Sequence, residues 1–195
     1  FLGLMGVGAG FFGIGYPRLC NGANLAYRRA CFVSVSGFAG NAGVHSGDDE
    51  FLLHKIVYQA GGSAHFVTRQ EAVVRTTAAP TVRAFLLQRI RWASKGRRYD
   101  DGRFVAFLVL LFVYFLFAAA APFVGITSLA ALPAALMFFV LKATADLSVL
   151  YPAAALFRQP VRATDILAAE LLHAYYLVFV SLVGFFGGYT WKNRR

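Results

Sequence analysis

Gly47-Asp48-Asp49-Glu50 sets three consecutive acids where Ser46-Gly47-Asp48-Asp49 reads as a capping box, a serine cap with an acid three residues on. Acids placed there complement the positive end of a helix dipole. A carboxylate at a helix start is also well placed to take a proton from an approaching hydroxyl, as a general base does. Gln88-Arg89-Ile90-Arg91-Trp92 forms a second set. On a helix, residues 88, 91 and 92 lie three and four apart and share one face. An amide, a forked guanidinium and a flat indole together suit a carbohydrate ring beside a phosphate. The same residues suit a helix lying on a membrane, with arginine stems laid down and the indole at the interface. The third set is Cys20-Asn21-Gly22-Ala23-Asn24, followed by Arg28-Arg29. Gly22 and Ala23 let backbone approach a ligand closely, and Asn21 and Asn24 offer amide hydrogen bonds. A plain turn before a helix has the same composition.

The elements that must position these side chains are legible in outline. Phe1 to Gly15 is apolar and glycine-rich but too short to span a bilayer, so a buried or interfacial segment is expected. Residues 24–38 read as a short helical or strand–helix unit ending at Gly37. A loop is expected over 41–47, then a helix from Asp48 to Ala60 closed by Gly61-Gly62. Two strand-like pieces, 64–68 and 72–77, are rich in valine. Pro80 breaks the chain, and a helix is expected from Thr81 to about Lys95, stopped at Gly96. Short strands alternating with helices predict an α/β domain.

Composition divides the chain in two. It is 58% hydrophobic over 195 residues, well above the roughly 45–50% of a soluble domain, and the excess lies after Arg103. Three runs there reach spanning length: 104–126, 129–150 and 166–189. The expected domains are therefore 1–103 and 104–195, the second an all-α transmembrane domain of about three helices. The net charge is +10, and residues 1–103 hold 13 of the 19 Lys and Arg. Basic segments flanking membrane helices fit cytoplasmic placement and contact with anionic lipid. No basic run forms a recognisable nucleic-acid module, so nucleic acid is not an expected partner. Trp191 with Lys192, Arg194 and Arg195 reads as an interfacial anchor, although three spans after a cytosolic start would put it on the outside.

Taken in order, the Asn-Gly-x-Asn stretch with its paired arginines, the acidic pair at a helix start, and Gln-x-x-Arg-Trp just before membrane helices resemble family 2 glycosyltransferases. These include the membrane-bound synthases of cellulose, chitin, hyaluronan and poly-N-acetylglucosamine, and some lipid glucosyltransferases. The resemblance covers residues 16–95 by motif and the apolar half by architecture. It implies the C-terminal part of a GT-A nucleotide-diphospho-sugar transferase domain. It further implies inverting transfer to a polysaccharide or lipid acceptor, in the cell membrane with the catalytic part cytosolic. Asp49 would be the general base and Asp48 its neighbour, where the family has Glu-Asp. Gln88, Arg91 and Trp92 would line the acceptor site and help hold the nucleotide diphosphate. Asn21, Gly22 and Asn24 would form the acceptor wall. The family holds Mg or Mn through an Asp-x-Asp that this sequence lacks, so no metal ligand is assigned here and the chain is expected to be inactive alone.

Other residues fit this picture less directly. Lys142 and Asp146 are four apart within the second span, suited to pair with each other or to line an export path. Glu170 and His173 have the spacing of a helical di-iron half-site without a second copy. His45, His54 and His65 have no ligand spacing, and Cys20 and Cys31 form neither a metal nor a redox pair. Two other classes share these features: a transporter subunit, which requires charges in several spans, and a non-catalytic scaffold with a basic lipid-binding face.

Overall fold

A computed structural model describes residues 1–40 and 46–187. Residues 41–45 of the expected 41–47 loop, with His45, and the anchor at Trp191 lie outside the described residues. Seven α-helices occur among those described: α1 (Leu2–Gly13), α2 (Arg29–Ser34), α3 (Asp48–His54), α4 (Val82–Ser94), α5 (Gly102–Thr127), α6 (Leu132–Phe157) and α7 (Ala163–Phe186). The chain forms two compact units. One holds Phe1–Ala78 with Val149–Pro160, the other Ala79–Ser148 with the chain from Val161 onward.

The expected α/β domain is not what the chain forms, since no strand occurs among the described residues. The stretches 64–68 and 72–77 carry no α-helix or strand, and Arg69 and Val73 beside the turn between them are extended, with ψ of 136° and 113°. A strand, however, exists through a neighbour 4.7–4.9 Å away that completes its hydrogen bonds. Here the two pieces are separated by a 3₁₀ turn, Gln70–Ala72. The Ala72 carbonyl, which a ladder would use, accepts instead from Asn24 Nδ2 at 2.5 Å.

In the first unit, α1 runs about 18 Å at 1.5 Å per residue, too short to cross a bilayer's roughly 30 Å apolar core. Its Gly3 and Gly6 lie against Leu150, Val149 and Ala153 on the last turns of α6. The helix expected from Asp48 to Ala60 forms as α3 followed by a π turn, Lys55–Gln59. Its cap is Gly47, in the left-handed region at φ 99°, and not Ser46.

The second unit contains α5, α7 and α6 as far as Ser148. Helices α5, α6 and α7 are long and apolar enough to cross a membrane. With 26, 26 and 24 residues, they measure about 39, 39 and 36 Å. In lipid the backbone must satisfy itself, which selects helix. The Thr127 and Thr144 hydroxyls likewise donate to carbonyls one turn back, Phe123 and Val140. Large apolar side chains point outward, Leu110 at 69% exposed and Ile126 at 82%. Asp101 caps α5, its Oδ1 accepting from the Arg103 and Phe104 amides at 2.8 and 3.1 Å.

Helix α7 packs along both α4 and α5. The α4 contact is close enough to require Gly184. A Cβ there would stand 2.7 Å from Ala93 Cβ, 3.0 Å from the Ile90 carbonyl oxygen and 3.1 Å from the Ser94 amide nitrogen. Two of these three are backbone atoms, which yield less readily than a side-chain tip. Gly184→Ala should therefore destabilise the α4–α7 pair by about 1–3 kcal/mol, the usual cost of overpacking. Thermal unfolding in lipid would show this as a lowered Tm, and an unchanged Tm would contradict the packing described.

Candidate functional site

In the first unit the chain brings together two sets that lie far apart in sequence. Asn21 caps a 3₁₀ turn, Gly22–Asn24, its side-chain oxygen accepting from the Ala23 amide at 3.0 Å. Its Nδ2 donates to Met5 Sδ of α1 at 3.7 Å. Asn24 ties the far end of the turn to the Ala72 carbonyl. Between them the Gly22 amide donates to Asp49 Oδ2 at 2.8 Å. Asp49 Oδ1 accepts from the Glu50 amide at 3.0 Å. A carboxylate has about four acceptor positions, so this one is anchored on both oxygens and retains capacity for a further donor. It is half-buried, whereas Asp48 is exposed. Glu50 is only 5% exposed, so the three acids have three different environments.

Gly22 is the position where a side chain would interfere. Its Cβ would meet Asp49 Oδ2 at 3.1 Å, tighter than ordinary contact. A cavity of about 1230 Å³ lies alongside the turn, with Asn21, Ala23 and Asn24 in its wall together with Arg28, His65 and Arg75. Asp49 stands outside that wall, one hydrogen bond away through Gly22.

A second group of residues, which the motifs did not reveal, holds the turn in place. The Arg18 guanidinium lies over both the Tyr16 and Tyr58 rings, 4.1 and 3.9 Å from their centroids, which themselves meet edge-on, and Arg18 is 4% exposed. Tyr58 OH donates to the Pro17 carbonyl at 2.9 Å. His54 Nε2 lies 2.9 Å from the Arg18 carbonyl oxygen. His54 and Tyr58 are four apart, so one helix face grips 16–18 immediately upstream of the Asn-Gly turn. That i,i+4 pair of polar aromatics was the available sequence signal. Lys55, one residue on, donates to the Gly37 and Ala39 carbonyls at 2.9 and 2.5 Å.

In the second unit, α4 carries Gln88, Arg91 and Trp92, all half-buried. Thr81 caps the helix, its Oγ1 accepting from the Ala84 amide at 3.1 Å. The Ile90 carbonyl and Ala93 Cβ lie against Gly184 of α7 and so fix the rotation of α4. The Arg89 guanidinium lies over the Trp92 and Phe85 rings at 4.3 and 5.1 Å. Phe85 in turn meets Tyr176 of α7 at 5.4 Å between centroids. Burial lowers the Arg89 pKa from its ordinary value, partly countered by Tyr176. The indole thus already has a cation on it from its own helix.

The divalent metal implied by the resemblance finds no donor set: among the described residues no group of three or more His, Cys, Asp or Glu could hold a metal ion. In comparisons with family models, curated proteins and solved structures, nothing matches the chain.

The grip on residues 16–18 gives a direct expectation. Tyr58→Phe removes one hydrogen bond to a backbone carbonyl and should cost about 1 kcal/mol. Arg18→Ala removes two desolvated cation–π contacts, each worth on the order of 2 kcal/mol, and should cost more. Chemical denaturation of the two variants would rank them, and equal stabilities would contradict these cation–π contacts.

Proposed function

We propose that this chain is part of a membrane glycosyltransferase that uses a nucleotide-diphospho-sugar donor, with Asp49 as general base. The observation that carries the reading is the 2.8 Å hydrogen bond from the Gly22 amide to Asp49 Oδ2. It joins the Asn-Gly-x-Asn motif to the acidic pair across 27 residues, and these are two of the three motifs on which the resemblance rests. The three apolar helices support a membrane setting. By the same resemblance, the first unit is assigned to the cytosolic face of the cell membrane.

In this reading Asp49 takes the proton of an acceptor hydroxyl as its oxygen attacks the anomeric carbon. The bond to the nucleotide diphosphate breaks on the opposite side, with inversion. The Gly22 and Glu50 amides fix the carboxylate in one orientation, so that little motion is needed to meet the hydroxyl. The cavity beside the turn is lined by Asn21 and Asn24 and by the basic residues Arg28 and Arg75. These suit a hydroxyl-rich acceptor that also carries an anionic group. Gln88, Arg91 and Trp92 of α4 are assigned substrate binding on the strength of their motif.

The test is Asp49→Asn in the protein expressed from its whole gene, assayed in membranes with labelled nucleotide-diphospho-sugars. The amide keeps an oxygen for the Gly22 N–H but cannot take a proton. Transfer should fall by about 10²–10⁴-fold, the usual worth of a general base. Gly22→Ala, which crowds the carboxylate, should fall less. Undiminished transfer by Asp49→Asn would remove Asp49 from the chemistry.

A further inference from the structure

We propose that the cavity beside the Gly22–Asn24 turn holds a membrane lipid whose hydroxyl-bearing head is joined to its hydrocarbon tail through phosphate. Its role as acceptor rests on the transferase reading of Asp49, while its binding does not. The cavity measures about 1230 Å³, more than the roughly 300–1,000 Å³ that holds a drug-sized ligand. A single sugar at Asn21 and Asn24 leaves most of it unfilled. Much of the remaining wall is apolar: Leu2, Met5 and Phe12 of α1, Leu53 and Ile56 of the helix from Asp48, and Phe66. Hydroxyls of further sugar rings find no hydrogen-bond partner on such side chains, and burying them there is costly. A hydrocarbon chain gains from the same surroundings.

The helix that builds the apolar wall itself suits lipid. No residue of α1 has a polar side chain, and a helix apolar on every side belongs in a core or a membrane. Met5, Gly8 and Phe12, spaced three and four apart, form its cavity face. Phe12 meets Phe66 edge-on there, with 5.7 Å between centroids. Gly3 and Gly6 turn another face to the last turns of α6, and Phe157, where α6 ends, also lines the cavity. Leu4 and Val7 remain exposed on the outside. The polar wall joins this apolar one at a single contact, Asn21 Nδ2 donating to Met5 Sδ at 3.7 Å. Asn24, Arg28 and Arg75 continue it, and no Asp or Glu lines the cavity among the described residues. Two arginines without an acid give that wall a positive balance suited to phosphate. Tail, phosphate and head thus each have a matching surface in one cavity. In the reaction a head hydroxyl gives its proton to Asp49, its oxygen bonds to the anomeric carbon, and the nucleotide diphosphate leaves with the electrons of the broken bond.

The experiment uses the full chain in phosphatidylcholine nanodiscs that contain, as a minor component, phosphatidylglycerol with a diazirine on its acyl chain. After irradiation, peptide mass spectrometry should find label on Ile56 and Phe66 of the cavity wall, and on Leu110 of α5, which faces outward. Unlabelled phosphatidylglycerol should displace the cavity label. Added phosphatidylcholine, or glycerol phosphate without a tail, should not. Arg28→Ala with Arg75→Ala, both exposed positions, should lower the cavity label by about tenfold or more, the usual worth of a hydrogen bond to a charged group. Met5→Trp, which keeps the charges and narrows the apolar wall, should lower it too, and the Leu110 label should persist in both variants. Label on Leu110 alone would overturn the proposal, as would a cavity label displaced equally by phosphatidylcholine or by a tailless oligosaccharide. In those cases the transfer assay of Asp49→Asn still decides the transferase reading. A cavity label that phosphatidylglycerol displaces, together with undiminished transfer by Asp49→Asn, would uphold the lipid site and overturn its role as acceptor.

Discussion

The Gly22 amide and the Asp49 carboxylate meet at 2.8 Å, and the candidate site depends on that meeting. A glycine in a one-turn helix donates its N–H to the first turn of another helix, 27 residues later. Each partner is constrained by its own surroundings. Asn21 and Asn24 shape the turn around Gly22, and the Glu50 amide holds the second oxygen of Asp49. The Tyr16–Arg18–Tyr58 cluster, with His54, ties the incoming chain to the helix that carries the acid. A side chain at position 22 would enter the carboxylate's own space. The glycine in this motif therefore has a steric reason that involves a residue outside it.

The membrane helices follow a different logic. Their outer surfaces are apolar and exposed, no described residue covers the exposed side chains, and their length and composition suit a lipid environment. Polar groups inside the spans are used up locally, as with the threonine hydroxyls, or gathered into one set at Lys142. Helix α7 is the common element of the second unit. It takes α4 at Gly184, α5 along its length, and the charge of α6 at Glu170. The helix that carries Gln88, Arg91 and Trp92 is thereby fastened to a membrane helix through backbone contact as well as through side chains.

Elements with local causes could be read from the sequence. Helix α4 begins at its Thr81 cap after Pro80, α5 follows from a run without charge, and the helix from Asp48 ends at Gly61, which has φ of 66°. Features that depend on partners could not. Two valine-rich stretches have strand-like composition, but without a pairing edge they form no strand among the described residues. The Ser46 cap expected from a local pattern gives way to Gly47 because the chain arrives in a left-handed turn. Helix α6 runs on to Phe157, past Pro152, where composition suggested an end near Leu150, since membrane helices tolerate an interior proline. Lys142–Asp146 was visible as an i,i+4 pair. Its link to Glu170, 28 residues away, depends on how α6 and α7 lie together. Within the candidate site the motif residues were legible, while Arg18 and Tyr58, which hold them, became evident only in three dimensions.

The most direct measurement of the central contact is the Gly22 amide resonance by NMR in the lipid-embedded protein, compared with Asp49→Ala. A charge-assisted hydrogen bond from that amide predicts a downfield proton signal, slow to exchange with solvent, that moves upfield and exchanges faster when the carboxylate is removed. A Gly22 signal that is the same with and without the Asp49 side chain would contradict the contact and the site built on it.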